Sequence, residues 1–594
     1  MRRMCPLKTL VTAILALTLA ACGSAASGGG PGSSPDGKNA DAIPAGKADA
    51  PWSECQTEQV MLWLNDPSTE LADLKESGVH TRGAGNLIEY RNGEDGEYPS
   101  KDDNPFNTLK EVDDVYYVGP TALDQLTSAV ADYCERAPRR SADVIFSPKR
   151  YDNSHLVHTV ELIDQAEQSI DVAMYSFGDQ KVLDALERAV NRGVKVRMIY
   201  NKTEEERDEG DNTMSAKLEK KGINVRYVNR VMHHKFVIID GPRKNLRQAS
   251  STTLVTGSGN WSYGAATQYD ENTVTLKGDA EAALRFQDEF NLMWEYSREY
   301  VKNEELSYNK TLEIKRSMIP DRTGIDASYT SDNFKKYINS RWGPTFGIKR
   351  GVSTVSKRIV KLIKEADESI WIASGHLRSR PISEALIEKY KNNPDMDIRV
   401  YLDGQEYVSE WAHNKQKDEL ESCLEEAGDS KAQRADCLNK GFYFSYKVEQ
   451  AGIPLRFKYY AYRWHYSYAK QMHHKYLIFD GETVVSGSYN LSDNAEHNTL
   501  ENIVVYRKSG YPQLVEAFKS NFTDIWDTGR NEGRYDQLTT EIKEASSEIP
   551  IVFEPMALTF DQVDKLKDLI RETCPDVNKK DYRRNPEDHK TCEL

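Results

Sequence analysis

Residues 231–241 read VMHHKFVIIDG, and residues 471–481 read QMHHKYLIFDG, the same pattern 240 positions later. Each is strand sequence, an apolar run rich in aromatic and branched residues that ends at an Asp-Gly turn. Alternate side chains of an extended strand share a face, so His233 and Lys235 point together, and so do His473 and Lys475. His234 and His474 then face the other way, as packing or supporting groups. Asp240 and Asp480 fall out of phase with the lysines, beside the turn glycine, where a carboxylate can hold the end of the strand.

Working outward, each copy is followed by a second element, GSGN ending at Asn260 and GSYN ending at Asn490, and then by a Glu-Asn pair, Glu271-Asn272 and Glu501-Asn502. From Ser258 to Glu271 is 13 residues, and from Ser488 to Glu501 is also 13. Upstream, AEQSI at 166–170 matches ADESI at 366–370, an offset of 200, and each leads through a strand, a helix and another strand. The chain is therefore an internal duplication of α/β units. Changes of offset locate the insertions: PRKNLRQASS in the first half, and in the second a segment around Cys423 and Cys437 and the aromatic run FKYYAYRWHYSYAK.

These residue types suit one chemistry. A phosphate diester anion repels nucleophiles, so a catalyst must neutralise its non-bridging oxygens and supply a nucleophile and an acid. Lys235 and Lys475 bring the charge. Asn260 and Asn490 can donate amide hydrogen bonds to the same oxygens, with Ser258 and Ser488 nearby on that face as further substrate contacts. One histidine can attack phosphorus while the other protonates the leaving alcohol and then activates water. Glu271 and Glu501 can each accept the N–H at the far side of a histidine ring and fix its tautomer.

Paired His-x-Lys-x4-Asp motifs, each with its Gly-Ser-x-Asn and Glu, resemble the phospholipase D, or HKD, superfamily over about residues 141–530. The resemblance implies an α/β fold of two sandwich domains, each a mixed sheet flanked by helices, related by a pseudo-twofold with the site at their seam. It counts Asp240 and Asp480 in the catalytic set, makes His233 the nucleophile and His473 the acid, and calls for neither metal nor other cofactor. The leading expectation is hydrolysis of glycerophospholipid head groups. Alternatives are an endonuclease acting on DNA or RNA, a phosphatidyl transferase resembling cardiolipin synthase, and a binding protein that keeps the fold without turnover.

The rest of the chain sets the context. With 594 residues it exceeds one core, and a net charge of −15 argues against tight non-specific nucleic-acid binding as a global property. Arg2, Arg3 and Lys8 precede an apolar stretch from Leu10 to Leu19, an export signal. Leu19-Ala20-Ala21-Cys22 resembles a bacterial lipobox, which implies acylation of Cys22 and a lipid anchor in the cell envelope, with the outer membrane as destination. Residues 1–22 are then the leader and 23–50 a flexible linker. Residues 51–140 are a small helical domain resembling a degenerate pair of helix-hairpin-helix units, with Gly78 and Gly119 at the turns and Tyr117 in place of a glycine. Its acidic flanks favour a packing module over a DNA-binding one. The two catalytic domains fall at 141–310 and 351–530, with a connector at 311–350 and a tail at 531–594. An exported chain permits disulfides, and nearest partners pair Cys55 with Cys134, Cys423 with Cys437, and Cys574 with Cys592. We expect a monomer that is internally a pseudo-dimer.

Overall fold

The computed structural model describes residues 52–202, 212–300, 311–319, 324–438, 440–459, 470–528, 532–544 and 555–573. The leader, Cys22, the linker, the Cys574–Cys592 pair and the aromatic run from Tyr460 to Tyr468 lie outside the described residues.

Two eight-stranded mixed sheets carry the body. The first runs Ser141–Ser147, Glu271–Lys277, Thr253–Gly257, Lys235–Ile239, Ser169–Met174, Lys195–Tyr200, Asn224–Tyr227, Arg298–Glu299 from edge to edge. The second repeats that order with Asp326–Tyr329, Asn502–Arg507, Thr483–Gly487, Lys475–Phe479, Ser369–Ser374, Asp397–Asp403, Leu455–Tyr459 and Met556–Thr559. The motif strands therefore hold the same place in both sheets, paired antiparallel with Ser169–Met174 and Ser369–Ser374. Both edges of the second sheet come from segments read as connector and tail. Asp326–Tyr329 pairs with Asn502–Arg507, and Met556–Thr559 with Leu455–Tyr459. Short strands with weak patterning were too little sequence to identify alone.

Period-two alternation decides where the cores lie. Phe236 and Ile238 of the first motif strand, with Tyr476 and Ile478 of the second, enter one core shared by the two halves. Helices Ala280–Glu295 and Pro512–Asp527 contribute Phe286, Phe290, Phe518 and Phe522 to it. Val237 and Ile239 instead face helices of the first half, and Leu477 and Phe479 those of the second. A shared core fixes the two motif strands relative to each other.

Asp240 and Asp480 hold the strand end. Each adopts a left-handed backbone, φ 52° and 55°. Asp240 accepts hydrogen bonds from the amides of Glu167, Gln168 and Ser169 at 2.6–3.2 Å, and Asp480 from those of Asp367, Glu368 and Ser369 at 2.7–3.1 Å. Five strand residues separate each of them from the motif histidine's end of the sheet, roughly 16 Å at the rise of a strand. The structure thus gives both the strand-end place that their parity implies and puts neither beside the motif histidine and lysine.

The amino-terminal helices form two hairpins. Leu71–Glu76 and Thr81–Asn92 turn through Gly78 at φ 98°, and Leu109–Asp113 and Pro120–Ala129 turn through Tyr117 at φ 66°. The hairpins touch closely, since a Cβ at Gly83 would lie 2.7 Å from the Tyr117 carbonyl. Cys55–Cys134 ties the first helix to the last. The region packs on the first half: Leu62 joins Leu246 and Leu284, and Asp66 accepts from the Leu246 amide at 2.5 Å. Leu246 lies in the first-half insertion, which thus receives the module. In the second half, helices Glu410–Ala427 and Lys431–Leu438 are joined by Cys423–Cys437.

Candidate active site

The histidine backbones set the geometry. Val231–Met232, entering the first motif, pairs in parallel with Thr499–Leu500 of the second half, and the His233 amide donates to the Leu500 carbonyl at 3.0 Å. In the mirror arrangement the His473 amide donates to the Asp270 carbonyl at 3.1 Å. Each motif is thus laid beside the residue that precedes the other half's glutamate.

The carboxylates follow. Glu501 meets Nδ1 of His233 at 2.8 Å, and Glu271 meets Nδ1 of His473 at 2.6 Å. The pairing is crossed between halves. The next residues cross as well, with the Asn502 amide nitrogen 2.8 Å from Nδ1 of His234 and that of Asn272 3.3 Å from Nδ1 of His474. His234 and His474 have no solvent exposure and sit against Phe236 and Tyr476, on the opposite face from the lysines. His234 also reaches Glu289 at 3.1 Å.

Lys235 Nζ donates to the His233 carbonyl at 2.6 Å, and Lys475 Nζ to that of His473 at 2.8 Å. The Oδ1 atoms of Asn260 and Asn490 are buried without a hydrogen-bond partner among the described residues, the same condition in both halves. Ser258 and Ser488, expected to contact substrate, are placed inside the protein with internal partners. Both are fully buried; Ser488 donates to Glu501 at 2.7 Å and accepts from the Asn502 amide at 3.0 Å, and Ser258 accepts from the Asn272 amide at 3.0 Å. The reason is local: Gly257 and Gly487 run so near the next strand that a Cβ on either would lie 2.3 Å from a carbonyl, which turns the following serine inward.

Burial and mutual repulsion dominate the electrostatics. Burial, then Lys235 and Lys475, hold His233 well below the usual histidine range, and burial brings His473 down to about 4 against the pull of Glu271. Burial likewise lowers Lys235 to about 7 and Lys475 to about 8. The two carboxylates differ. Burial pushes Glu271 up, but His473, Lys475 and Ser258 together outweigh it and leave it lowered. Glu501 stays raised by burial despite Lys235, Ser488 and Thr499. The two half-sites are therefore electrostatically unequal.

Sequence reading missed several contributors. Tyr175 ends the strand beside the first motif, with its ring 4.4 Å from His233 and the Lys235 ammonium 4.9 Å from its centre. Its counterpart in the repeat is Gly375, where a Cβ would lie 2.8 Å from the Met472 carbonyl. The His233 side chain is 11% exposed and that of His473 20%, so the cover is unequal. A buried Asp270–Lys458 pair at 2.8 Å adjoins His473 alone. Aligning the halves shows that Tyr175 and Asp270 differ from their counterparts Gly375 and Leu500, but not what they touch. Among the described residues no cluster of His, Cys, Asp and Glu could hold a metal, and no helix is long and apolar enough to cross a membrane.

Comparison with known proteins agrees with this geometry. The family model described as "Cardiolipin synthase, PLD-like domain" matches residues 159–294 and 359–526, one segment in each half. Among curated proteins, mitochondrial cardiolipin hydrolase of Chlamydomonas reinhardtii is 29% identical over 138 residues, 23% of this chain and 56% of the relative. That of Drosophila melanogaster is 31% identical over 157 residues, 24% of this chain and 59% of the relative. The chain thus spans little more than half the length of these relatives. Among solved structures, the phospholipase D family member Nuc from Salmonella typhimurium is 27% identical and covers 27% of this chain and 99% of its own, with a TM-score of 0.23. Phosphatidylserine synthase from Haemophilus influenzae is 11% identical and covers 75% of this chain and 97% of its own, with a TM-score of 0.42. With a family model matching half its length, one segment around each motif, the chain belongs to the phospholipase D superfamily.

Proposed function

We propose that this protein hydrolyses glycerophospholipids at the head-group phosphodiester through a phosphohistidine intermediate, leaving phosphatidic acid. The observation that carries the reading is the crossed pairing, Glu501 on His233 and Glu271 on His473 at 2.8 and 2.6 Å, with both lysines alongside. A carboxylate on Nδ1 leaves Nε2 of each ring for the reacting phosphate and supports the imidazolium form.

Nε2 of His233 attacks phosphorus, and the bond from phosphorus to the head-group oxygen breaks. His473 gives its Nε2 proton to that oxygen. It then takes a proton from water, whose oxygen attacks phosphorus and breaks the P–N bond, restoring His233. The family resemblance of the two motifs gives the attack to His233 and the proton donation to His473. Lys235, Lys475 and the side-chain amides of Asn260 and Asn490 neutralise the non-bridging oxygens. The relatives named cardiolipin hydrolase favour a phospholipid substrate, and an acylated Cys22 in the cell envelope would hold the enzyme at its substrate.

The test is head-group release from mixed phospholipid vesicles by the full chain in the presence of a chelator. Release that disappears with His233→Ala and with His473→Ala, and a phosphorylated histidine trapped by acid quench, is the expected result. Intact vesicles alongside cleaved single-stranded or plasmid DNA would replace the lipid reading with a nuclease.

A further inference from the structure

The antiparallel pair Phe334–Asn339 and Gly343–Ile348 belongs to neither large sheet. Its root is built into the seam. Glu501 and Thr330 exchange hydrogen bonds, amide to Thr330 Oγ1 at 2.8 Å and Thr330 amide to Glu501 carbonyl at 3.0 Å. Phe334 and Phe346 enter the shared core, and Asn229 and Arg230, just ahead of the first motif, grip the Phe346 backbone at 2.7–3.2 Å. The far end is also ordered, because the Asn339 side chain accepts from the amides of Arg341 and Trp342 at 2.9 and 3.0 Å.

The hairpin shows apolar surface from root to tip. Tyr337, Ile338, Trp342 and Ile348 are 44%, 53%, 59% and 43% exposed. Between residues 334 and 350 the sequence has five cations and no carboxylate, in a chain of net charge −15. Lys335, Arg341 and Arg350 have no ion-pair partner among the described residues, and the Arg341 guanidinium lies 4.5 Å from the centre of the Trp342 ring. Asp288 and Asp332 lie at the root, where Lys336 acts on both.

We propose that the tip of this hairpin docks the protein on an anionic phospholipid surface, with Ile338 and Trp342 entering the interface and Arg341 at the tip, with Lys335 and Arg350 on the flanks, meeting lipid phosphates. Charge complementarity selects the partner's sign, and the aliphatic residues select its kind. Isoleucine gains from an apolar phase and offers a nucleobase no ring to stack on, and one side of the Tyr337 ring is already occupied, since a Cβ at Gly347 would lie 2.9 Å from it. The root beside Glu501 and the first motif places the docked surface next to the site.

Docking is measurable without turnover, so it stands apart from the catalytic reading. The full chain and two double variants, Ile338→Asp with Trp342→Ala and Lys335→Glu with Arg341→Glu, are sedimented with phosphatidylcholine vesicles and with vesicles containing about one-third phosphatidylglycerol. The amino-terminal leader contributes equally to all three proteins. We expect each double variant to lower binding to the anionic vesicles by about tenfold, with unchanged thermal unfolding and unchanged hydrolysis of a small soluble diester. Equal binding by all three proteins overturns the proposal. So does a loss confined to the charge variant and matched in a DNA gel shift, which would assign the hairpin to nucleic acid. A protein that docks as expected but releases no head group keeps this inference and loses the catalytic one.

Discussion

The crossed glutamates make the sharpest residue-scale claim. Glu501→Gln should move the imidazole resonances of His233 and leave those of His473 in place, and Glu271→Gln should do the reverse, as read by histidine-selective NMR. Each should cost about 10- to 100-fold in kcat/KM, the usual loss when the group orienting a ligand or base is removed. Perturbation within each half instead would contradict the pairing. The lysines set an alkaline limit. With Lys235 lowered to about 7 and Lys475 to about 8, the charge that binds the phosphate disappears far below the pH at which an exposed lysine deprotonates. The kcat/KM profile should fall over that range, and Lys235→Arg should move the onset of the fall up toward the limb set by Lys475.

The same groups burden the fold. An ammonium buried at 2% exposure is costly, so Lys235→Met should abolish turnover yet raise the unfolding temperature, by on the order of 2–4 °C. His473 makes stability depend on pH. The unfolded ring takes up a proton near pH 6.5 and the folded ring only at about 4, so between those values unfolding binds a proton. Stability should therefore fall as pH is lowered through that window, and His473→Asn should flatten the slope in calorimetric scans.

At the scale of elements, the motif strand divides its labour between its two ends. The histidine and lysine work where the strand begins, and the aspartate holds the neighbouring strand where it finishes. Asp240→Ala strips the acceptor from three backbone amides and should destabilise the protein by about 1–3 kcal/mol. The kcat of the surviving folded fraction should stay within about twofold, because a distant strand end moves the reacting groups little. Denaturant titration alongside kinetics separates the two effects. A fall in kcat comparable to that of His233→Ala, without loss of stability, would return Asp240 to the chemistry. The parity that sends Asp240 away from Lys235 was readable in the sequence. The inward turn of Ser258 and Ser488 was not, because it depends on how closely the glycine before each approaches an adjacent strand.

On the scale of the whole molecule, each half supplies the carboxylate to the other half's motif histidine. A chain ending at Tyr300 keeps His233, Lys235, Asn260 and Glu271 but lacks Glu501 and the strand edge that seats the first motif. It should show no diesterase activity, and adding a fragment that carries the second half should restore some of it. Turnover by the first half alone would break the claim that the seam is the site. The shared core adds to the dependence, since Phe236 and Tyr476 lie in one cluster with helices Ala280–Glu295 and Pro512–Asp527.

The sequence by itself determined the duplication, the strand character of the motifs, the faces of their side chains and the chemistry those residues can perform. All of these follow from local period and spacing, and the nearest-neighbour pairings Cys55–Cys134 and Cys423–Cys437 were within its reach as well. Only the tertiary structure decided which glutamate serves which histidine, that segments 326–329 and 556–559 close the second sheet, and that Tyr175 covers one half-site while Gly375 leaves the other open. The physical reason is common to all three. Each depends on contacts between residues far apart in the chain, brought together by burial of a core that no local pattern specifies.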